Sequence, residues 1–491
     1  MSLSTPILAN QDSPSSPSES FGAFRAEGRI QPVLVLVFFL INSVVLLNAV
    51  LHPPTIGYDA HDHLRYVTTL AEGRLVTPAD SAEFFSPPLP YLFPAALMRA
   101  ASLSIEQAAK AAQLLNVLVS IGLTLFLLRI CELIDPGKLP LKLGTLSFLG
   151  VLPVYYKTFA FVRGEPFVAF FAVLAVFYAL QMAVQRRPTL WHATALGVAL
   201  GLAGFSRQWG LLLLPAIAVW AGIVLIKTTQ QRKRLLALLT VSLVIGSLLG
   251  SWFYLSMSVR FGSVTAFNRT PQGHFAIANQ PSSFYFGLGD GHLFTDPLRS
   301  VFPNQLVPIL YSETWGDYWG YFAVYGKDTR SDQWVDGYVL WKTSSNEQSP
   351  DWLQTNRLSM APLMGRANLV GLFPTLLALV AYLLGVAELV RFLRQSDPAV
   401  PTVATSLLVL VVAASFAGYL WFLIMYPNRQ KGDTIKSTYL LHVFPMVALL
   451  VGVLLQHIRQ RSRPLYLGII TGLALVYLHN LPLIITHFVA F

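Results

Sequence analysis

The sequence predicts an all-α polytopic membrane protein with about eleven transmembrane helices, a long loop after the first of them and a small aromatic cap segment later in the chain. Three observations carry this. Hydrophobic residues make up 54% of the 491 and charged residues only 12%, about half of the ~25% found in a soluble domain. Stretches such as Val33–Leu51 and Leu235–Met257 hold no charge and reach the roughly 20 residues a helix needs to cross a hydrocarbon core. None of these runs shows the alternation over about 10 residues that marks a strand of a membrane barrel.

Residues 1–31 are rich in Ser and Pro, DSPSSPSES among them, and read as a disordered tail. Arg25 and Arg29 before the first span hold that tail in the cytoplasm. A cleaved signal peptide fits less well, since its n-region would be too long and its apolar core too extended. Apolar runs then fall near 32–51, 107–130, 143–157, 167–184, 191–205, 210–226, 235–257, 366–391, 403–425, 437–456 and 464–486. The run PPLPYLFPAALMRAAS carries Arg99 near its end and reads as a helix lying in the interface, not a span. The chain thus divides into a module over 32–257 with its loop at 52–106, an aromatic segment at 258–365, and C-terminal helices at 366–491.

Charge tests this layout. With the N-terminus inside, the cytoplasmic loops are 131–142, 185–189, 227–234, 391–395 and 457–464, and each contains basic residues, as the positive-inside rule requires. Counting 86–102 as a span would put every one of these clusters outside. The same rule explains the net charge of +10 without nucleic acid. Cys131 is the single cysteine, which excludes an intrachain disulfide and a cysteine-based metal site.

The other face receives 52–106, a short loop around 157–166, Ser206–Trp209, the segment 258–365 and the loop 426–436. In the first of these, YDAHDHLRY places Asp59, Asp62, His63 and Tyr66 on one face if helical. An acid this close to the bilayer is costly to desolvate and calls for a partner or a function. Asp59 before an apolar-periodic run suits a helix cap and a catalytic base equally. His61, Asp62 and His63 are possible metal ligands, but without an HExxH-like spacing the metal reading is not favoured. FVRGEPF puts Arg163 and Glu165 at the mouth of a span, near Lys157. They form either an exposed ion pair of about 0–1 kcal/mol or a guanidinium fork for phosphate. GFSRQWG puts Arg207 between two spans with almost no loop, for snorkelling or for a ligand. Arg429, Lys431 and Lys436 breach the positive-inside pattern in one short outer loop, which points to an anionic ligand or to lipid headgroups. The YSETWGDYWGYF and WVDGYVLW runs serve an interface belt, packing or sugar stacking.

With these residues in place, the chain resembles the GT-C superfamily of polytopic glycosyltransferases. It looks closest to the branch of protein O-mannosyltransferases and aminoarabinose transferases. The resemblance rests on one span, a long outer loop with an acid near its start, a PP-L-x-Y segment (Pro87, Pro88, Leu89, Tyr91), and paired spans with RGEP at Arg163–Pro166. The segment 268–326, with ANQPSSFYFGLGD and ETWGDYWGYF, looks like that of bacterial members. It implies transfer of a sugar from a polyprenyl-phosphate donor to a glycan, lipid or protein acceptor at the outer face of the plasma membrane, with no cofactor. Asp59 would be the base, Glu165 an assisting acid, and Arg163, Arg207, Lys431 and Lys436 the donor-phosphate ligands. Where many relatives carry Asp-Glu, this chain has Asp59-Ala60 and then Asp62, so Asp62 stands as the alternative base. A transporter or flippase of lipid-linked sugars is the rival reading; it predicts inverted repeats and broken spans with midplane charges, and the sequence shows no internal repeat.

Overall fold

The computed structural model describes residues 24–26, 29–185, 187–228, 231–264, 267–323, 325–327, 334–336 and 360–486. Long apolar helices dominate it. Helix α1 (Pro32–Leu51) starts on a proline, whose missing N–H costs nothing in the first turn, and stops at His52. Helices α2 (Ala60–Ala71) and α3 (Leu89–Ala101) follow within the first loop. Helix α4 (Ile105–Ile134) opens on a capping box in which the Ser104 and Gln107 side chains each bond the other's backbone N–H. Then come α5 (Leu139–Gly150), α6 (Pro153–Ala160), α7 (Glu165–Val184), α8 (Leu190–Ser206), a 3-10 turn over Gln208–Leu212, α9 (Leu213–Lys227) and α10 (Arg232–Phe261). The segment beyond holds the short helices α11 (Ser282–Phe286) and α12 (Leu306–Trp315). The chain closes with α13 (Met360–Arg394), α14 (Val400–Met425), α15 (Val443–Arg461) and α16 (Arg463–Ile484).

Among the described residues, nine helices are long and apolar enough to cross a membrane, and ten if a bent pair counts as one. Two of the runs behind the expectation of about eleven, 143–157 and 191–205, lie outside the nine. The run at 143–157 is no single rod: α5 and α6 meet at 64° across a break just ahead of Pro153, because proline cannot continue the ladder of the preceding helix. The run at 191–205 forms α8, whose 17 residues fall short of a typical crossing. The run at 86–102 holds α3, a separate helix of 13 residues. The end of the expected tail also carries structure: Arg25–Ala26 pairs antiparallel with Arg29–Ile30, and the Phe24 ring meets Phe38 edge-on at 5.1 Å.

Polar side chains stitch the buried helix faces, as expected where water cannot satisfy them. Asn42 in α1 donates to Thr124 Oγ1 in α4 (3.2 Å) and accepts from Ser120 (2.8 Å), which also meets the Tyr155 hydroxyl of α6. Helices α8 and α10 pack more tightly still. A Cβ on Gly197 would lie 2.6 Å from the Ser242 carbonyl, and one on Gly201 2.9 Å from that of Gly246. Only glycine allows the two backbones to approach in this way.

The loops sort to two ends. Lys227 donates to the carbonyls of Leu393 and Gln395, and Arg391, His457 and Arg461 share one groove, so three of the basic loops meet. The first loop, residues 161–165, residues 206–209 and the loop 426–436 meet elsewhere, around Asp59. Trp315, Tyr318, Trp319 and Phe322 of the aromatic segment are buried and pack as core, with the two indole N–H groups held by Thr375 and the Ile435 carbonyl. Most of the WVDGYVLW run lies outside the described residues.

Candidate active site

Asp59 occupies the position before α2 with a left-handed backbone (φ 53°, ψ 29°), and its side chain caps nothing. The cap reading therefore does not describe this carboxylate. Oδ2 lies 3.2 Å from the Lys436 ammonium, with the Asp59 side chain 48% exposed and that of Lys436 12%. The Lys436 charge is the chief cause that holds the Asp59 carboxyl far below the usual carboxylate range. Burial works against the Lys436 ammonium, but Asp59 and after it Tyr439 together outweigh burial and raise its affinity for the proton. The Tyr58 and Tyr439 rings face Lys436 at 4.9 and 5.7 Å, a favourable seat for a cation.

A second charge chain runs beside this pair. Arg163 grips Glu165 with two bonds, Nε to Oε2 at 2.6 Å and Nη2 to Oε1 at 2.9 Å. Glu165 Oε1 also lies 3.3 Å from Arg207 Nε. Arg207 Nη1 in turn donates to Glu83 Oε2 at 2.7 Å and to the Ser86 hydroxyl. All four charged side chains are at most 4% exposed. Neither the exposed-pair reading of Arg163 and Glu165 nor snorkelling of Arg207 fits such burial. The order Arg163, Glu165, Arg207, Glu83 alternates in sign, which offsets much of the desolvation cost of each member. Burial pushes the Glu83 carboxyl up, but the charge of Arg207 and then that of His63 outweigh it and bring it to about 2. His63 accepts or donates one bond with the Tyr91 hydroxyl (2.7 Å), and burial lowers it to about 4, so it is neutral near pH 7.

A third cluster supports the first from behind. Glu313 of α12 accepts from the Tyr58 hydroxyl and from the Lys157 ammonium at 2.5 Å, all three being buried. It fixes the ring on which Lys436 sits. Burial, then Asp317, raises the Glu313 carboxyl well above its ordinary range.

Asp59, Glu83, Arg207 and Lys436 open onto one cavity of about 600 Å³, counting its mouth, together with Arg269, Asp433 and several aromatic rings. Arg163 and Glu165 stand behind it and reach it through Arg207. Lys431 does not line it. Neither does Asp62, whose Oδ1 accepts from the Ala82 amide at 3.2 Å and whose carbonyl accepts from Ser81, pinning the loop to α2. Among the described residues no group of three or more His, Cys, Asp or Glu side chains is arranged to hold a metal ion. Sequence reasoning passed over Glu83, Glu313 and Trp209. The signal for Glu83 was an acid set directly before Phe84-Phe85 and Pro87-Pro88 in a loop otherwise destined for the bilayer surface.

No protein-family model matches the chain, and no curated protein matches it by sequence. Its backbone is similar to two crystal structures of ArnT from Cupriavidus metallidurans. For the form bound to undecaprenyl phosphate, identity is 14% over 91% of this chain and 76% of that one, with a TM-score of 0.43. For the apo form the values are 16%, 85%, 76% and 0.38. Similarity of that degree is a likeness of outline, and no residue role passes through it.

Proposed function

We propose that the protein is a membrane glycosyltransferase that moves a sugar from a polyprenyl-phosphate carrier to an acceptor hydroxyl, with Asp59 as general base. One observation carries the reading: a half-exposed carboxylate and two cations, Lys436 and Arg207, line a single cavity at the end of the bundle opposite the basic loops. The positive-inside rule then puts the cavity on the non-cytoplasmic side, and the protein belongs in a bacterial plasma membrane. A polyprenyl tail gains about 0.8 kcal/mol per buried CH₂, so the donor stays in the bilayer and the site must stand beside it.

In the transfer, the acceptor oxygen bonds to the anomeric carbon while the bond from that carbon to the phosphate oxygen breaks. The acceptor proton passes to Asp59, and the electron pair leaves with the polyprenyl phosphate. A phosphate leaves without an acid, so the base and the cations suffice. Arg207 spends Nε and Nη1 on carboxylates, while Nη2 makes no hydrogen bond to a described residue and serves the phosphate. Lys436 exchanges Asp59 for the phosphate on donor binding, which frees the carboxylate to take a proton. Glu165 and Arg163 are positioning residues that hold Arg207. Lys431 and Asp62 have no part in the step. The acceptor is a hydroxyl of a glycan, lipid or protein, and the step uses no metal.

The test is Asp59→Asn. Transfer from a polyprenyl-phosphate sugar is expected to fall by about 10²–10⁴-fold, the usual contribution of a general base, with the thermal midpoint near wild type. Wild-type turnover by this variant would remove Asp59 from the mechanism. Transport of a lipid-linked sugar by reconstituted protein, without any transferred product, would favour the flippase reading.

A further inference from the structure

The cavity has a second wall, and it is aromatic. Phe422 and Tyr426 stack at 5.3 Å, Phe267 meets both at 5.2 and 4.8 Å, and Trp209 lies 5.0 Å from Phe422 and 4.9 Å from Tyr439. All five rings border the cavity. Trp209 is 6% exposed, and its indole N–H has no hydrogen-bond partner. Buried donors are nearly always paired, and a donor left unpaired on a residue that lines a cavity is one a ligand's oxygen would satisfy.

Charge narrows the ligand. Three carboxylates face the cavity, and each already has a basic partner: Asp59 with Lys436 at 3.2 Å, Glu83 with Arg207 at 2.7 Å, Asp433 with Arg269 at 2.8 Å. Glu83 and Asp433 keep their partners on donor binding, and Asp59, once released by Lys436, is engaged with the acceptor proton, so no carboxylate is left over to receive an ammonium group. An apolar face with one polar donor matches instead the ring of a sugar, which is apolar across its C–H face and rimmed with hydroxyls.

We infer that Trp209 and the neighbouring rings form the sugar subsite and that it takes an uncharged sugar, one hydroxyl of which accepts from the Trp209 indole. The inference rests on the glycosyltransferase reading above and names the class of sugar it transfers.

Equilibrium binding of three probes to the purified full chain in detergent tests it: polyprenyl phosphate alone, the same lipid carrying a neutral hexose, and the same lipid carrying an amino sugar. The wild type is expected to bind the hexose lipid about tenfold more tightly than the amino-sugar lipid, as an unpaired ammonium is costly in such a site. Trp209→Phe keeps a ring and removes the N–H. It is expected to weaken the hexose lipid about fivefold, the loss of one neutral hydrogen bond, and to leave bare polyprenyl phosphate unchanged. Equal weakening of both lipids, no weakening of either, or amino-sugar binding as tight as hexose binding would overturn the inference. The wild-type comparison stands even if the variant folds poorly. Selective hexose binding without any transfer to an acceptor would support the subsite and defeat the transferase reading instead.

Discussion

Glu165→Gln separates positioning from chemistry. Glu165 accepts both bonds that Arg163 makes, at 2.6 and 2.9 Å, and the remaining Arg163 nitrogen, Nη1, is buried without a partner. The gross attraction at 2.6 Å is about 6 kcal/mol at an effective dielectric near 20, most of which repays desolvation. What the variant exposes is the other side of that balance, a buried guanidinium left uncompensated, at about 3–5 kcal/mol. The Tyr58 and Tyr439 rings, 5.4 and 5.7 Å from Arg163, remain, and the Gln carbonyl still accepts one bond, so the lower figure of about 3 kcal/mol applies. For a chain of this length that is a fall of about 3 °C in thermal midpoint, read in detergent at one fixed scan rate. Glu83→Gln should fall less, because Arg207 keeps Glu165 at 3.3 Å. Pairing Arg163→Met with Glu165→Gln removes both charges and should recover at least half of the loss. A Glu165→Gln variant that melts with the wild type, or a double variant no more stable than the single one, refutes the reasoning.

Three other changes probe the site. Lys436→Gln removes the charge that depresses Asp59; its pKa then rises, and because the base must be ionised, the acid limb of kcat/KM should move to higher pH. An unmoved limb would detach that limb from Asp59. Gly57→Ala forces a side chain onto φ 146° with Cβ 3.2 Å from the Phe161 ring, at a cost of about 1–3 kcal/mol, visible as a lower midpoint and reduced turnover because the turn carries Asp59. Asp62→Asn should turn over near the wild-type rate, and a loss beyond about a hundredfold would move the base role to Asp62.

The spans were legible because lipid imposes one demand, continuous apolar length, which the eye can find in a sequence. The interior of the site was less so. Nothing in the spacing of FVRGEPF distinguishes an exposed ion pair from one that is 1–2% exposed, since burial depends on what packs from elsewhere in the chain. Asp59 and Lys436 lie 377 positions apart, and only the return of α14 and the loop after it brings them together. Glu83 escaped notice because an acid in a loop ordinarily reads as solvated, and its burial follows from Arg207 arriving over it. The bend between α5 and α6 was written in Pro153, but an apolar run on both sides conceals it.

The glycine seam between α8 and α10 reaches further than its own contacts. Arg207 is the residue that ends α8, so the distance between those two helix axes helps set where its guanidinium stands against Glu83 and Glu165. With main chain against main chain at Gly197 and Gly201, no rotamer change can absorb an added methyl. A lineage that widened this seam would shift Arg207 against the other walls of the cavity while leaving every residue of the cavity as it is.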